Sequence, residues 1–434
     1  MEATVSAMAH SHGITPEQLR KDNPFMGELA KIGPIALVIA VVLFAIGYMM
    51  SGADDHQRFF FSYIHNYVFF TSISIGALLF TLVNHVARAS WSVVIRRIPE
   101  FFAGSLWMMG IAGLPILVMV LTGKVEVYEW VNIGSWIHGA EQQIVQNKEA
   151  YLNTTFFAIR YFIYFAAFFL FGRAILLNGS LKQDNQPDGD EKDRGTMRMW
   201  QLSAPGLVFS FLLMTFFAID MIMSLDPIWF STMFGVYYFA GAMIGFFSTM
   251  ILLFKWLQST GRLKEAVTVE HYHDFGKFLF AFVFFWGYIA FSQYMLIWYA
   301  SIPEETRWFH IRQNADWTPL SWLMLFGHFA LPFAFLISRY IKRHNVLLAV
   351  GAVWMLVLHW LDHFYQVVPE YQRITGVQPG GGLAAAFDIS EIICLLAIGC
   401  FWFGAFMVTA GKNPIAPLGD PQIAKSLKFD NVKV

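Results

Sequence analysis

Long apolar runs separated by short polar connections dominate this chain. A membrane-crossing helix needs ~20 mostly apolar residues. Ten stretches qualify: Ile32–Met50, Phe59–Val86, Phe101–Leu121, Leu152–Leu176, Gly206–Leu225, Thr232–Leu257, Phe275–Ala300, Leu320–Tyr340, Val346–Tyr365 and Phe387–Ala410. At ~1.5 Å rise per residue the second run is about 42 Å long, more than the ~30 Å hydrocarbon layer, so it must tilt or protrude. The pattern predicts an all-α integral membrane protein with ten transmembrane helices.

The connections differ in charge. With the first residue placed inside, 22 of the 29 Lys and Arg fall on inner segments, and positively charged connections stay in the cytoplasm. Both termini are therefore expected to be cytoplasmic, with residues 1–31 as an N-terminal segment and 411–434 as a tail. The most polar stretch, Asn178–Arg198, separates four runs from six and reads as a mobile cytoplasmic linker over residues 178–201.

Composition agrees with a bilayer environment: 57% of residues are hydrophobic and 14% charged, against ~25% charged in an average soluble domain. A net charge of -1 argues against nucleic-acid binding. The two cysteines, Cys394 and Cys400, share one apolar run, which leaves no disulfide framework and no thiolate set for an iron–sulfur cluster; there is also no CxxCH for covalent haem. The opening residues lack the basic, apolar and small-residue order of a cleavable signal.

Ionisable residues inside the runs carry the functional signal, because each costs ~2.5–3.5 kcal/mol near the bilayer centre. Arg160, Asp220, His359 and His328 fall near the centres of their runs, with His65, Asp362, His363 and Glu391 further out and Asp388 near the outer interface. Except for the nearly central His328, all are displaced to the predicted outer side. One-sided carboxylates and imidazoles suit proton transfer or a quinone site served by an outer half-channel. The competing reading pairs Arg160 with Asp220 or Glu391 as a structural ion pair. HWLDH sets His359 and His363 at i,i+4 on one helical face, but two ligands do not make a metal site, and no metal is expected. Axial ligation of a b-haem by His65, His328 or His359, and a secondary transporter with a polar site between helices, are the alternatives. Pro115, Pro205 and Pro332 are expected to bend helices. Asp274 is the expected N-cap of the seventh run, and Trp107, Trp130, Trp136, Trp229, Trp298, Trp308 and Trp317 the interfacial belts.

Five segments, Val267–Thr306 (VTVEHYHDFGKFLFAFVFFWGYIAFSQYMLIWYASIPEET), Leu202–Phe211, Met223–Gly241, Arg58–Phe70 and His359–Pro369, closely resemble the F subunit of bacterial alternative complex III, a quinol:cytochrome c oxidoreductase. The resemblance implies a polysulfide-reductase-type membrane subunit of the bacterial inner membrane. It further implies two four-helix bundles, 58–177 with 202–225 and 232–365, flanked on each side by one outer helix, 32–57 and 387–410. Haem c and iron–sulfur clusters would sit on partner subunits: an iron–sulfur protein, a multihaem cytochrome c and a sister C-type membrane subunit. A terminal cytochrome oxidase is a further partner, quinone or menaquinone the substrate, and lipid the surroundings. Direct quinol oxidation is expected of the sister subunit, and proton conduction or support of this one.

Overall fold

The computed structural model describes residues 28–52, 56–132, 139–186, 189–314, 316–376, 387–411 and 413–430, without the side chains of 28–30 and 140. The N-terminal segment and Trp136 thus lie almost wholly outside the described residues. Ten helices are long and apolar enough to cross a membrane: α1 (Lys31–Met50), α2 (His56–Val86), α3 (Val93–Thr122), α4 (Thr154–Asp184), α5 (Asp190–Leu225), α6 (Phe234–Ser259), α7 (Val269–Ala300), α8 (Thr318–Leu336), α9 (Asn345–Thr375) and α10 (Ile389–Ala410). No β-strand occurs among the described residues. This is a multi-pass membrane protein. Ten passes place the start of α1 and the tail after α10 on one face, called here the terminal face.

Helices α2 to α5 pack on one another, as do α6 to α9. The groups meet where α2 lies on α6 and α9 and α5 lies on α6. Gly76 makes this approach possible: a Cβ there would sit 2.7 Å from both the Ala242 carbonyl oxygen and Phe246 Cβ. The first and last spans were expected on opposite sides. They instead pack against each other, and α10 also covers α2 and α3.

The expected linker is a second correction. Asn178–Asp184 continues α4, and α5 already begins at Asp190. Gln183 Nε2 ties the two extensions together through the Lys192 carbonyl at 2.8 Å and Thr196 Oγ1 at 2.6 Å. Polar residues hold a helix in water as well as apolar ones do in lipid, so low hydropathy marked the end of the membrane and not the end of the helix.

Helix irregularities follow the chemistry. Pro115 interrupts α3 at Gly113, where Tyr63 donates to the Ala112 carbonyl at 2.5 Å and Tyr161 to that of Gly110. Pro332 follows a π-helical segment, Met324–Ala330, in α8; a second one, Phe169–Leu177, lies in α4. Pro205 lies inside the α5 helix. Helix α7 starts at Val269, so its N-cap is Thr268 with His271 completing a capping box, and Asp274 pairs with Lys277 at 2.5 Å instead. Four of the seven tryptophans assigned to belts, Trp130, Trp229, Trp308 and Trp317, are buried in the protein.

Candidate functional site: a polar column along the ninth helix

Helix α9 presents His359, Asp362, Gln366, Glu370 and Arg373 at spacings of three and four, which line up on one helical face. All but the half-buried Arg373 are buried. The column runs from mid-helix to the face opposite the termini.

Its inner end joins α2, α6, α7 and α8. His359 Nε2 lies 2.9 Å from Ser72 Oγ, which itself donates to the Phe69 carbonyl at 2.6 Å. Ser72 therefore accepts from His359, and His359 Nδ1 is left as a bare acceptor without a partner. Asp362 Oδ1 accepts from Tyr237 and Oδ2 from Trp286 Nε1 at 3.2 Å. The imidazole of His328 lies tilted against Trp286 at 3.9 Å between ring centres, and neither of its nitrogens has a partner; the same holds for both nitrogens of His363. Gly241 and Gly245 on α6 make room for the His359 ring, since a Cβ would come within 3.0 Å and 2.7 Å of it.

A second group sits where α2 meets α10. The buried Glu391 carboxylate accepts from Arg58 at 3.0 Å and Ser62 at 2.8 Å, and faces His65 Nδ1 at 2.8 Å. His65 Nε2 contacts the Trp360 carbonyl at 2.9 Å. A carbonyl only accepts, so Nε2 carries hydrogen, and the Nδ1–carboxylate contact needs a further proton on one side or the other. Asp388 caps α10, its Oδ1 accepting from Ser390 N at 2.7 Å. Burial opposes its charge, but the Ser390 and Ile389 bonds and the Arg58 charge outweigh this and hold the carboxyl below the usual Asp range.

Arg160 and Asp220 form a separate, closed pair at 2.7 and 3.0 Å. Tyr164 adds a bond to Asp220 at 2.6 Å, while Arg160 Nη1 donates to the Tyr151 carbonyl at 2.9 Å. This matches the structural-pair reading. Arg160 does not hold Glu391, which takes Arg58.

Sequence reasoning missed the outer end of the column. Buried Arg312, from the short helix Pro303–Arg312, reaches Glu370 at 3.0 Å; Arg373 bridges Glu370 at 2.5 Å and Glu129 at 2.8 Å. Asp226, directly after α5, lies 3.9 Å from Arg373 and 3.8 Å from Arg307. Burial pushes the Glu129 carboxyl up more than Arg373 pulls it down. The i,i+4,i+8 spacing from Asp362 to Glu370 was the available signal. On the terminal face Arg96, Arg97, Glu100, Asp184 and Asp420 form a second buried ionic cluster with contacts of 2.6–3.1 Å, where none was expected.

No family model matches the chain, and no curated protein matches it.

Proposed function

We propose that the chain is a membrane subunit of a respiratory quinol:cytochrome c oxidoreductase of the alternative complex III type. It carries no redox centre and supports quinol chemistry by exchanging protons with the outer side. The observation that carries this reading is the Glu391–His65 pair: a buried carboxylate and imidazole at 2.8 Å sharing a single proton, with Arg58 beside them. A carboxylate and an imidazole in direct contact can accept that proton from one neighbour and pass it to another. The opposite-face network of Glu370, Arg373, Glu129 and Asp226 supplies carboxylates between the α9 column and water. In this reading the two helix groups are the two four-helix bundles, the termini are cytoplasmic, and the host is a bacterial inner membrane. The iron–sulfur and multihaem c subunits carry the electrons, beside the sister membrane subunit.

The test begins with gentle detergent extraction from native membranes and mass spectrometry of what stays bound. Multihaem c and iron–sulfur partners are the expected result; recovery of the chain alone would favour the transporter reading. In the intact complex Glu391→Gln should slow quinol:cytochrome c turnover or proton release at least tenfold. Unchanged proton release in a folded complex would remove Glu391 from the path.

A further inference from the structure

Donor atoms of His328, His359 and Asp362 all lie within 4.8 Å of one another, and the three side chains are buried. We propose that these three residues bind a divalent transition-metal ion, with zinc the best fit. The proposal stands independently of the proton reading, which rests on Glu391 and His65.

Each donor is in a binding-competent state. The hydrogen bond from His359 Nε2 to Ser72 leaves the Nδ1 lone pair buried without a partner, the arrangement by which an outer partner fixes a ligand's tautomer. His328 has both nitrogens unpartnered although its ring is buried against Trp286. Asp362 is held from behind by Tyr237 and Trp286, which orients the carboxylate and leaves lone pairs on both oxygens. Two imidazoles and one carboxylate are the donor set of open zinc sites, with a water in the fourth position. Zinc–ligand bonds of ~2.0–2.1 Å set tetrahedral donors ~3.3 Å apart, so from separations within 4.8 Å binding draws these groups together by at most about 1.5 Å. From the sequence, His359 and His363 alone made no metal site, and none was expected. The fold brings His359 together with His328 from the π-helical segment of α8 and with Asp362 from its own helical turn.

Charge balance predicts the state of the fourth ligand. A +2 ion with one carboxylate leaves one uncompensated positive charge in a buried site. The bound water meets this by losing one proton to solvent and staying as hydroxide, which makes the assembly neutral.

The test uses the full-length protein purified in detergent, stripped with chelator and titrated with Co2+, with bound Zn2+ measured separately by mass spectrometry. One equivalent of Co2+ with the visible absorption of a tetrahedral N/O site is expected. His328→Gln, His359→Gln and Asp362→Asn should abolish it, and His363→Gln should keep it. Ser72→Ala, which leaves every ligand in place, should weaken binding about 10- to 100-fold. Absence of stoichiometric Co2+ and Zn2+ in the wild type, or retention in folded His359→Gln, would overturn the proposal. A metal-free wild type would leave Glu391 and the proton assay untouched, and the reverse also holds.

Discussion

Arg312 offers the sharpest test of how the column is held together. Pro369 sits inside α9 and has no N–H, so the Tyr365 carbonyl one turn earlier loses its usual donor. Arg312, fully buried in the connection between α7 and α8, replaces it. Its Nε donates to the Tyr365 carbonyl at 2.9 Å, and its other nitrogens reach the Gln366 carbonyl at 2.8 Å, the Trp308 carbonyl at 3.0 Å and Glu370 at 3.0 Å. Removing one partner of a buried pair costs ~3–5 kcal/mol, and an orphaned buried carbonyl ~1–3 kcal/mol. Glu370 keeps Arg373 at 2.5 Å, so the lower end applies. Arg312→Met should therefore cost about 3 kcal/mol, roughly two powers of ten in the folding equilibrium. Pro369→Ala returns an N–H to the Tyr365 carbonyl. It should be neutral or mildly destabilising alone, yet recover ~1–2 kcal/mol in the R312M background. Reversible unfolding by SDS in mixed micelles, followed by tryptophan fluorescence over the four-variant cycle, measures the coupling. Equal effects of Pro369→Ala in both backgrounds, within ~0.5 kcal/mol, would refute the argument.

Substitutions at two other positions probe separate elements. Gly76→Ala should destabilise the fold by ~1–3 kcal/mol, because its Cβ must displace the α6 backbone; an unchanged midpoint in the same assay would mean that α2 and α6 do not bear on each other as described. Asp388→Ala should cost ~1 kcal/mol as a lost helix cap. Because the folded carboxyl titrates below the usual Asp range, its charge-dependent contribution is complete above ~pH 4 and disappears as pH falls through the lowered value. Asp388→Asn should lack that pH dependence, and parallel pH profiles for the wild type and D388N would contradict it.

The ten spans were legible because lipid imposes apolarity over a fixed length, but the helix ends were not. Arg96, Arg97 and Glu100 lie in α3 before its predicted start, and their burial against Asp184 and Asp420 depends on segments far apart in sequence. The site divides in the same way. Buried ionisable residues announced themselves by their cost in an apolar run, whereas their pairing did not. Glu391 takes Arg58, which stood in no candidate set because it lies at the edge of its run. His328 meets Asp362 because α8 and α9 pack together through its π-helical segment. Trp229 and Trp317 looked interfacial by position; only the fold shows that protein covers them.

The late segment that closes the terminal face has a consequence for biosynthesis. Asp420 neutralises Arg96 across 324 residues of chain, and Ser426 binds the Val94 amide and the Trp91 carbonyl. At ~5–20 residues per second, ribosomes need roughly 16–65 s to supply that carboxylate after Arg96 has emerged. During this interval Arg96 has Glu100 alone, and α1 waits for α10, its principal neighbour. A nascent chain halted before α10 would expose both Arg96 without its Asp420 partner and the uncovered flanks of α2 and α3, a signature that membrane proteases and insertion chaperones can read.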